Sequence, residues 1–269
     1  MKSLAIYCVC YNSYCELDAY LQSIVIAADA ARGALAVTVF VTDNSDSVQP
    51  VALPESDVVQ MVHFPTGRNA GYLGAVQECM KQYSPHDFDF VVISNVDLRV
   101  SADALVSLLK LGSLNGVGWL APQIRSDVEL RDRNPKIIER YGRRKLQFLL
   151  TLYRHPWLFR LYEQTAYRRK RITAAGHREG ESIYAGHGSF MIFTRAFFDA
   201  VGHLDYPIFL FCEEIYLAEL CRRHGLAVRY VPSVKVIDAE HCSTGQMKSR
   251  SYCRYNAEAV RYILETYYE

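Results

Sequence analysis

An acidic pair, Glu213 and Glu214, lies within a hydrophobic and aromatic segment, residues 209–217 (FLFCEEIYL). A carboxylate that such neighbours partly desolvate has a raised pKa, which suits a general base. Acidic residues are also favoured at the start of a helix whatever the function, because they interact with the helix dipole. The pair therefore predicts either a catalytic base or a helix start, and the other segments must decide between them.

Further polar side chains directly follow two apolar, strand-like runs. Asp43 and Asn44 come after residues 36–42, and Asn95 and Asp97 come at the end of residues 88–94. Alternation along an extended chain puts residues 95 and 97 on the same side. Mg²⁺ and Mn²⁺ prefer oxygen ligands and are commonly shared with substrate phosphates, so Asp97 is a candidate metal ligand. Judged alone, each segment is also compatible with a simple turn.

A glycine-rich segment, residues 67–74 (GRNAGYLG), opens a predicted helix. Its glycines permit close approach of a ligand to the backbone, and a helix N-terminus favours an anion, which makes Arg68, Asn69 and Gly71 candidate contacts. The segment matches neither the G-x-G-x-x-G pattern after a first strand nor the P-loop pattern. A dinucleotide-dependent dehydrogenase and a P-loop NTPase are therefore disfavoured.

Apolar runs alternate with amphipathic stretches along the chain. Strands are predicted at residues 4–11, 36–42, 58–64, 88–94, 190–193, 228–231 and 234–237. Helices are predicted at residues 14–31, 71–83, 105–111 (with Ser101 as N-cap), 195–201, within 209–224, and from about 255. The alternation predicts an α/β fold with a mostly parallel sheet flanked by helices, and ligands bind such sheets beyond the carboxyl ends of the strands.

The charge is unevenly distributed. The 269-residue chain has a formal net charge of +1, but residues 131–178 contain 14 Lys and Arg against three acids. This basic, aromatic stretch predicts one or two helices interrupted at Pro156. It is compatible with contact to anionic lipid headgroups or a lipid-diphosphate acceptor, and equally with a solvated helical face. It carries no nucleic-acid-binding signature.

Neither a signal peptide nor a transmembrane helix is predicted, which indicates a cytoplasmic protein, with peripheral association at the inner face of a membrane as an option. The eight cysteines show no spacing typical of a zinc site, and reduced, buried thiols are expected.

Taken in order, these segments resemble the family 2 glycosyltransferases of the GT-A fold, especially the bacterial branch that includes rhamnosyltransferase-like enzymes. The resemblance covers residues 1 to about 120 and 183–245. The segments that carry it are Tyr11-Asn12, 41–47 (VTDNSDS), 69–74 (NAGYLG), 94–98 (SNVDL), 202–205 (GHLD) and 209–217 (FLFCEEIYL).

The resemblance implies a metal-dependent, inverting transferase that moves a sugar from a nucleotide-diphosphate sugar to an acceptor hydroxyl in polysaccharide or cell-surface glycan synthesis. It implies that Glu214, within the pair with Glu213, is the base, and that Asp97 binds Mn²⁺ or Mg²⁺ together with His241 or Asp238. His187 and Gly188 are expected on the acceptor side. Contacts to the nucleotide sugar are expected from Tyr11, Asn12, Asp43, Asn44, Arg68, Asn69, Gly71, Asn95 and Asp97.

Three positions depart from the family pattern: Asn95 replaces the first acid of the Asp-x-Asp element, Glu214 replaces an Asp base, and Tyr216 stands where relatives often have Asp. Two alternatives therefore stay open, a non-catalytic sugar-nucleotide or glycan-binding module and a sugar nucleotidyltransferase. We expect a single domain over residues 1–269. Its parts are a nucleotide-sugar half (1–120), a basic helical insertion (131–181), an acceptor and catalytic half (182–245) and a C-terminal helix (246–269).

Overall fold

Nine strands form one mixed sheet in the computed structural model, which describes residues 1–127, 131–165, 177–238 and 249–268. The strands are β1 (Lys2–Cys10), β2 (Leu35–Asp43), β3 (Val59–Pro65), β4 (Phe90–Asn95), β5 (Leu98–Val100), β6 (Val117–Ser126), β7 (Ser182–Ile183), β8 (Phe190–Thr194) and β9 (Ala227–Asp238). The helices are α1 (Tyr14–Ala30), α2 (Tyr72–Gln82), α3 (Ala104–Lys110), α4 (Arg143–Arg154), α5 (Pro156–Thr165), α6 (Arg195–Val201), α7 (Glu213–Arg223) and α8 (Ser249–Tyr267).

The strand order is β3-β2-β1-β4-β8-β6-β9-β5, and β7 pairs with β9. β1 to β4 are mutually parallel, whereas β8 runs antiparallel to both of its neighbours, and β6 and β9 are again parallel. The predicted α/β class is confirmed. Because β1, β2 and β4 are parallel neighbours, the polar segments that follow them meet at one edge of the sheet.

Both faces of the sheet are covered, so alternate residues of each central strand enter different cores. In β1, Leu4 and Ile6 pack with α1 and α3, while Ala5 and Tyr7 belong to the core beneath α2, α6, α7 and α8. Burial on both faces explains why β1, β2 and β4 read as continuous apolar runs rather than as alternating ones.

Prolines account for the main differences in the strands. β6 was not predicted, because Gly118 and Pro122 interrupt its pattern. β9 was predicted as two runs separated at Pro232, but it is one strand. The pairing jumps from Pro122 opposite Val231 to Gln123 opposite Lys235, so both prolines lie at one bulge. A bulge leaves residues out of the hydrogen-bond ladder, which accommodates the missing N–H of proline.

Helix boundaries were partly correct. α4 ends at Arg154 and α5 begins at Pro156, which confirms the predicted break. The N-cap of α3 is Asp103 and not Ser101, whose carbonyl instead accepts the backbone N–H of Ala104. α8 begins at Ser249, earlier than predicted, because its first turns are polar and lack an apolar stripe.

Within the described ranges, no helix is both long enough and apolar enough to cross a membrane. The seven cysteines that the structure describes are free thiols.

Candidate active site

A cavity of about 520 Å³ opens at the carboxyl ends of β1, β2 and β4. The turn before α7 and the first turns of α8 close its other side. Ten of the residues selected from the sequence line it: Tyr11, Asn44, Asn69, Gly71, Asn95, Asp97, His187, Gly188, Glu213 and Glu214.

Asn44 attaches the glycine-rich loop to the end of β2. Its Nδ2 donates to Asn69 Oδ1 at 2.9 Å and to the Gly71 carbonyl at 3.1 Å, while its Oδ1 accepts the backbone N–H of Ala70 at 2.8 Å. The buried amide therefore fixes the position of the loop relative to the sheet.

Gly71 allows the turn before α7 to pack against that loop. It has φ 80° and ψ 179°, a conformation that is essentially restricted to glycine. A Cβ at this position would lie 2.1 Å from the Phe209 carbonyl oxygen. The backbone N–H of Tyr72 donates to the same oxygen at 3.3 Å. The two sides of the cavity thus meet at a backbone contact that only glycine permits.

Asp43 lies beneath the cavity and does not line it. Its fully buried carboxylate accepts Tyr14 Oη at 2.9 Å and the Ser45 N–H at 3.1 Å, and it lies 3.1 Å from His63 Nε2. Burial opposes ionisation, but the hydrogen bonds from Ser45, His63 and Tyr14 together lower the pKa of Asp43 below its ordinary value. The carboxylate is fully engaged by the protein itself.

Two further predicted contacts also lie off the cavity wall. Arg68 pairs with Glu78 on the surface, with 68% of its side chain exposed. Asn12 is exposed and left-handed (φ 54°), and its N–H donates to Ser45 Oγ at 2.9 Å. His241 lies outside the described residues.

Asp97 lies close enough to a second carboxylate, that of Asp238, to interact with its charge, and Asp238 pairs with the next residue, Leu98, across β5 and β9. Burial and the negative charge of Asp238 raise the pKa of Asp97 to about 6, against the lowering effect of an Asn95 hydrogen bond and of Arg133. Arg133 Nε lies 2.7 Å from Asp238 Oδ2. Burial and the charge of Asp238 disfavour the ionised form of Asp97, and a cation bound beside it would stabilise that form.

The side-chain atoms around Asp97 that could act as metal ligands suit a hard divalent cation. Asn95, Asp97 and Asp238 offer oxygen atoms only, which Mg²⁺ and Mn²⁺ prefer. No group of three or more His, Cys, Asp or Glu side chains that could hold a metal is found among the described residues. One or two protein carboxylates are nevertheless sufficient where substrate phosphates and water complete the coordination.

Glu213 and Glu214 begin α7 and have different surroundings. Glu213 Oε1 accepts the Phe211 N–H at 2.8 Å, within a turn in which Phe211 (φ 75°) and Cys212 (φ 60°) are both left-handed. Burial, with a contribution from the charge of Glu214, raises the pKa of Glu213 well above its ordinary range. A raised pKa, which the sequence suggested for the pair, is found at Glu213.

Glu214 projects across the cavity to the segment before β8. Its Oε1 accepts the Gly188 N–H at 3.3 Å, and a Cβ on Gly188 would lie 3.1 Å from that oxygen. Tyr72 Oη donates to the Gly188 carbonyl at 2.8 Å. Gly188 is therefore held from both sides, with the Glu214 carboxylate against its backbone.

His187 is a neutral side chain at physiological pH. Burial, together with the positive charges of Lys136 and Arg133, holds its pKa well below the usual value. Its backbone N–H donates to Asn134 Oδ1 at 2.7 Å, and its Nδ1 lies 2.9 Å from Ser189 Oγ. It can exchange hydrogen bonds with a ligand but contributes no charge.

Several residues of the cavity wall were not identified from the sequence: Tyr72, Ser189, Phe209, Leu210, Phe211, Ser251 and Tyr255. Tyr72 and the three residues before Cys212 lie inside segments that were singled out, so their spacing offered a signal. Ser251 and Tyr255 belong to the start of α8, where no motif indicated a role.

The fold is that of GT-A glycosyltransferases. One similar solved structure, GalNAc-T7 with UDP, GalNAc and Mn²⁺, has a TM-score of 0.58 and 12% identity, and the match covers 100% of this chain and 48% of that one. Another, the mannosyltransferase PcManGT from Pyrobaculum calidifontis with GDP-Man and Mn²⁺, has a TM-score of 0.51 and 15% identity, over 96% of this chain and 64% of that one. The chain thus spans about half to two thirds of these proteins.

Residues 2–255 match the family described as glycosyltransferase like family 2, and the chain belongs to that family. A curated relative is the N-acetylglucosaminyl-diphospho-decaprenol L-rhamnosyltransferase of Mycobacterium tuberculosis. It is 26% identical over 256 residues, which cover 90% of this chain and 78% of the relative. The predicted family is confirmed.

Proposed function

We propose that the protein transfers a sugar from a nucleotide-diphosphate sugar to an acceptor hydroxyl with inversion at the anomeric carbon. The observation that carries the proposal is the acid-lined cavity at the carboxyl edge of the parallel strands, where Glu214 and Asp97 both line a space of about 520 Å³. Family membership supports the reaction class. We further propose that residues 1–269 act as one domain, since the sheet extends from β1 to β9.

Glu214 is the proposed base. Its carboxylate takes the proton of the acceptor hydroxyl, the acceptor oxygen forms a bond to the anomeric carbon, and the bond from that carbon to the diphosphate oxygen breaks. The electron pair of the broken bond leaves with the nucleoside diphosphate. Glu213 acts as a positioning residue, because its bond to the Phe211 N–H fixes the turn that aims Glu214 into the cavity.

The charge of the cavity indicates how the donor diphosphate is accommodated. Among the described residues that line the cavity there is no Lys or Arg, and His187 is neutral. We propose that Asp97, with Asn95 and Asp238, holds a divalent cation, as supported by the Mn²⁺ in the two solved structures. When bound, the cation supplies positive charge to the diphosphate. His241 stays a prediction.

The nucleoside is proposed to lie against Tyr11, Asn44 and Asn69, which share the wall at the ends of β1 and β2. Asp43 supports this wall from beneath, through its bonds to Tyr14 and Ser45. On the opposite side, His187 and Gly188 are proposed to contact the acceptor.

A lipid-linked saccharide is the proposed acceptor, since the mycobacterial relative is named for an N-acetylglucosaminyl-diphospho-decaprenol substrate. Peripheral contact with the inner face of a membrane through residues 131–178 follows from this proposal. Phe148, Trp157 and Leu161 of α4 and α5 support it, because each leaves more than half of its side chain exposed. Such side chains insert into the lipid interface.

Donor binding and cleavage test the proposal. In a thermal-shift panel of UDP-, GDP- and dTDP-sugars, we expect one nucleotide series to stabilise the protein and Mn²⁺ to enhance the effect. The protein should then hydrolyse that donor slowly without an acceptor. A non-catalytic binding module would be stabilised equally but would leave the donor intact.

The role of Glu214 is tested by Glu214→Gln, with Glu265→Gln on the exposed face of α8 as the matched control. Removal of a general base typically costs about 10²–10⁴-fold in turnover, while donor affinity should stay near that of the native protein. Turnover of Glu214→Gln equal to that of the control would refute the assignment.

A further inference from the structure

A second depression, of about 410 Å³, lies outside the catalytic cavity, between the junction of α4 and α5 and the outer face of α8. Four arginines line it: Arg154 from the end of α4, and Arg250, Arg254 and Arg261 from α8. Glu258 is the single acid among the described residues that line it. We refer to this depression as the arginine pocket.

Helical spacing produces the pocket. Residues 250, 254, 257 and 261 of α8 follow one another at intervals of three or four, so they form one stripe along the helix. Ala257 lies within the stripe, between Arg254 and Arg261, and lines the pocket with them. The pocket thus combines a small residue with positively charged neighbours.

The arginines of the pocket outnumber Glu258, the acid that lines it with them, and so leave an excess of positive charge there. Within the described residues, none of the four is in an ion pair, in contrast to Arg140 with Glu219 and Arg195 with Asp89. Like charges four residues apart on a helix, as in Arg250 and Arg254, repel each other and destabilise the helix. An anionic ligand would remove this repulsion.

Exposed apolar side chains adjoin the pocket on α5. Trp157, next to Pro156 of the pocket wall, has 67% of its surface exposed, and Leu161, one turn further, has 54%. A soluble phosphate compound would gain nothing from these side chains. A membrane surface would, because Trp is favoured at the level of the headgroups while arginine contacts their phosphates.

We propose that the arginine pocket binds the phosphate of an anionic phospholipid headgroup and docks the protein on the membrane, with Trp157 and Leu161 inserted beside it. The inference deepens the proposed membrane contact and rests on it, but it assigns the main charge contacts to α8 and not to residues 131–178. Docking through α8 also fixes the orientation of the catalytic cavity relative to the membrane, because Ser251 and Tyr255 of the same helix line that cavity.

Vesicle flotation of the full chain tests the inference, with phosphatidylcholine vesicles that contain or lack phosphatidylglycerol. The test variant is Arg250→Gln/Arg254→Gln/Arg261→Gln. The matched control, Lys81→Gln/Lys110→Gln/Lys235→Gln, removes the same charge from exposed positions elsewhere. Glutamine is a good helix former, and Lys235, which lies in β9, is an exposed position. A thermal melt verifies that both variants fold.

We expect the native protein to bind only the anionic vesicles. Each lost positive charge should weaken binding about fivefold. The triple arginine variant should therefore bind the anionic vesicles roughly 100-fold more weakly than the native protein. The lysine control should change little, and Trp157→Ala should weaken binding further. Donor hydrolysis should be unaffected in all of these variants, because none alters a residue of the catalytic cavity.

Three outcomes would overturn the inference. If native protein binds anionic vesicles and the arginine variant binds equally well, the pocket is not the docking site, although the membrane contact stands. If native protein binds no vesicles while hydrolysing donor, the membrane contact itself fails and the transferase proposal survives. If inorganic pyrophosphate at constant ionic strength binds the pocket in calorimetry and vesicles do not, the ligand is a soluble phosphate compound.

Discussion

Substitution of Gly71 by Ala is expected to damage both stability and turnover. An added Cβ would lie 2.1 Å from the Phe209 carbonyl oxygen and 2.9 Å from the carbonyl carbon, so the backbone at residue 209 must move by about an ångström. The φ of 80° and ψ of 179° add backbone strain of about 1–3 kcal/mol for a residue with a side chain. Loss of the Tyr72 hydrogen bond adds about 1 kcal/mol.

The sum predicts a loss of about 2–4 kcal/mol in the free energy of unfolding, or roughly 5–15 °C in Tm for a chain of this size. Gly67→Ala is the matched control, because Gly67 also has a positive φ (71°) but no heavy atom within 4 Å of its Cβ position. The control should show only the strain of the left-handed backbone, about 1–2 kcal/mol.

Turnover reports on the position of Glu214, since residues 209–212 lead directly into α7. A displacement of about 1 Å at a reacting group can cost on the order of 100-fold. Denaturant unfolding and donor hydrolysis, measured on both variants, check the two effects. If Gly71→Ala is as stable and as active as Gly67→Ala, the contact with Phe209 does not position the base and the reasoning is wrong.

Two further outcomes are expected. Since Asp97 must lose a proton to bind a cation and its raised pKa is about 6, calorimetric affinity for Mn²⁺ should fall about tenfold per pH unit below that value and level off above it. An affinity that does not change between about pH 5 and pH 7 would contradict this. Arg140→Leu should destabilise the protein by about 3 kcal/mol, because it leaves the Glu219 carboxylate, 1% exposed, without its main counter-ion at 2.6 Å. Arg222→Leu, which removes an exposed partner 3.8 Å from the same carboxylate, should cost under about 1 kcal/mol in the same unfolding experiment.

The residues that line the cavity at the edge of the sheet were easy to select from the sequence for a simple reason. β1, β2 and β4 are parallel and buried on both faces, so they are continuous apolar runs, and the polar residues that end them are conspicuous. Asn44, Asn95 and Asp97 then fall on the same edge without further information.

The orientation of Asp43 could not be predicted in the same way. Its carboxylate faces inward because Tyr14 of α1 and His63 of β3 both reach it, and these contacts depend on how two other elements pack. Tyr255 was missed for a related reason, since α8 enters the cavity wall through packing on α4 and α7. Such contacts join residues that are far apart in the sequence, so a local sequence pattern cannot predict them.

Neighbouring residues of α8 belong to the wall of the catalytic cavity and to the arginine pocket. The ring of Tyr255 contacts that of Phe209 in a tilted arrangement, with 5.1 Å between the centroids, while the adjacent Arg254 belongs to the arginine pocket. If a membrane shifts α8 and thereby strengthens donor binding, then donor must strengthen attachment to the membrane by the same factor, because coupling free energy is reciprocal. A transferase of this construction would remain longest at the lipid surface while it carries a sugar to deliver.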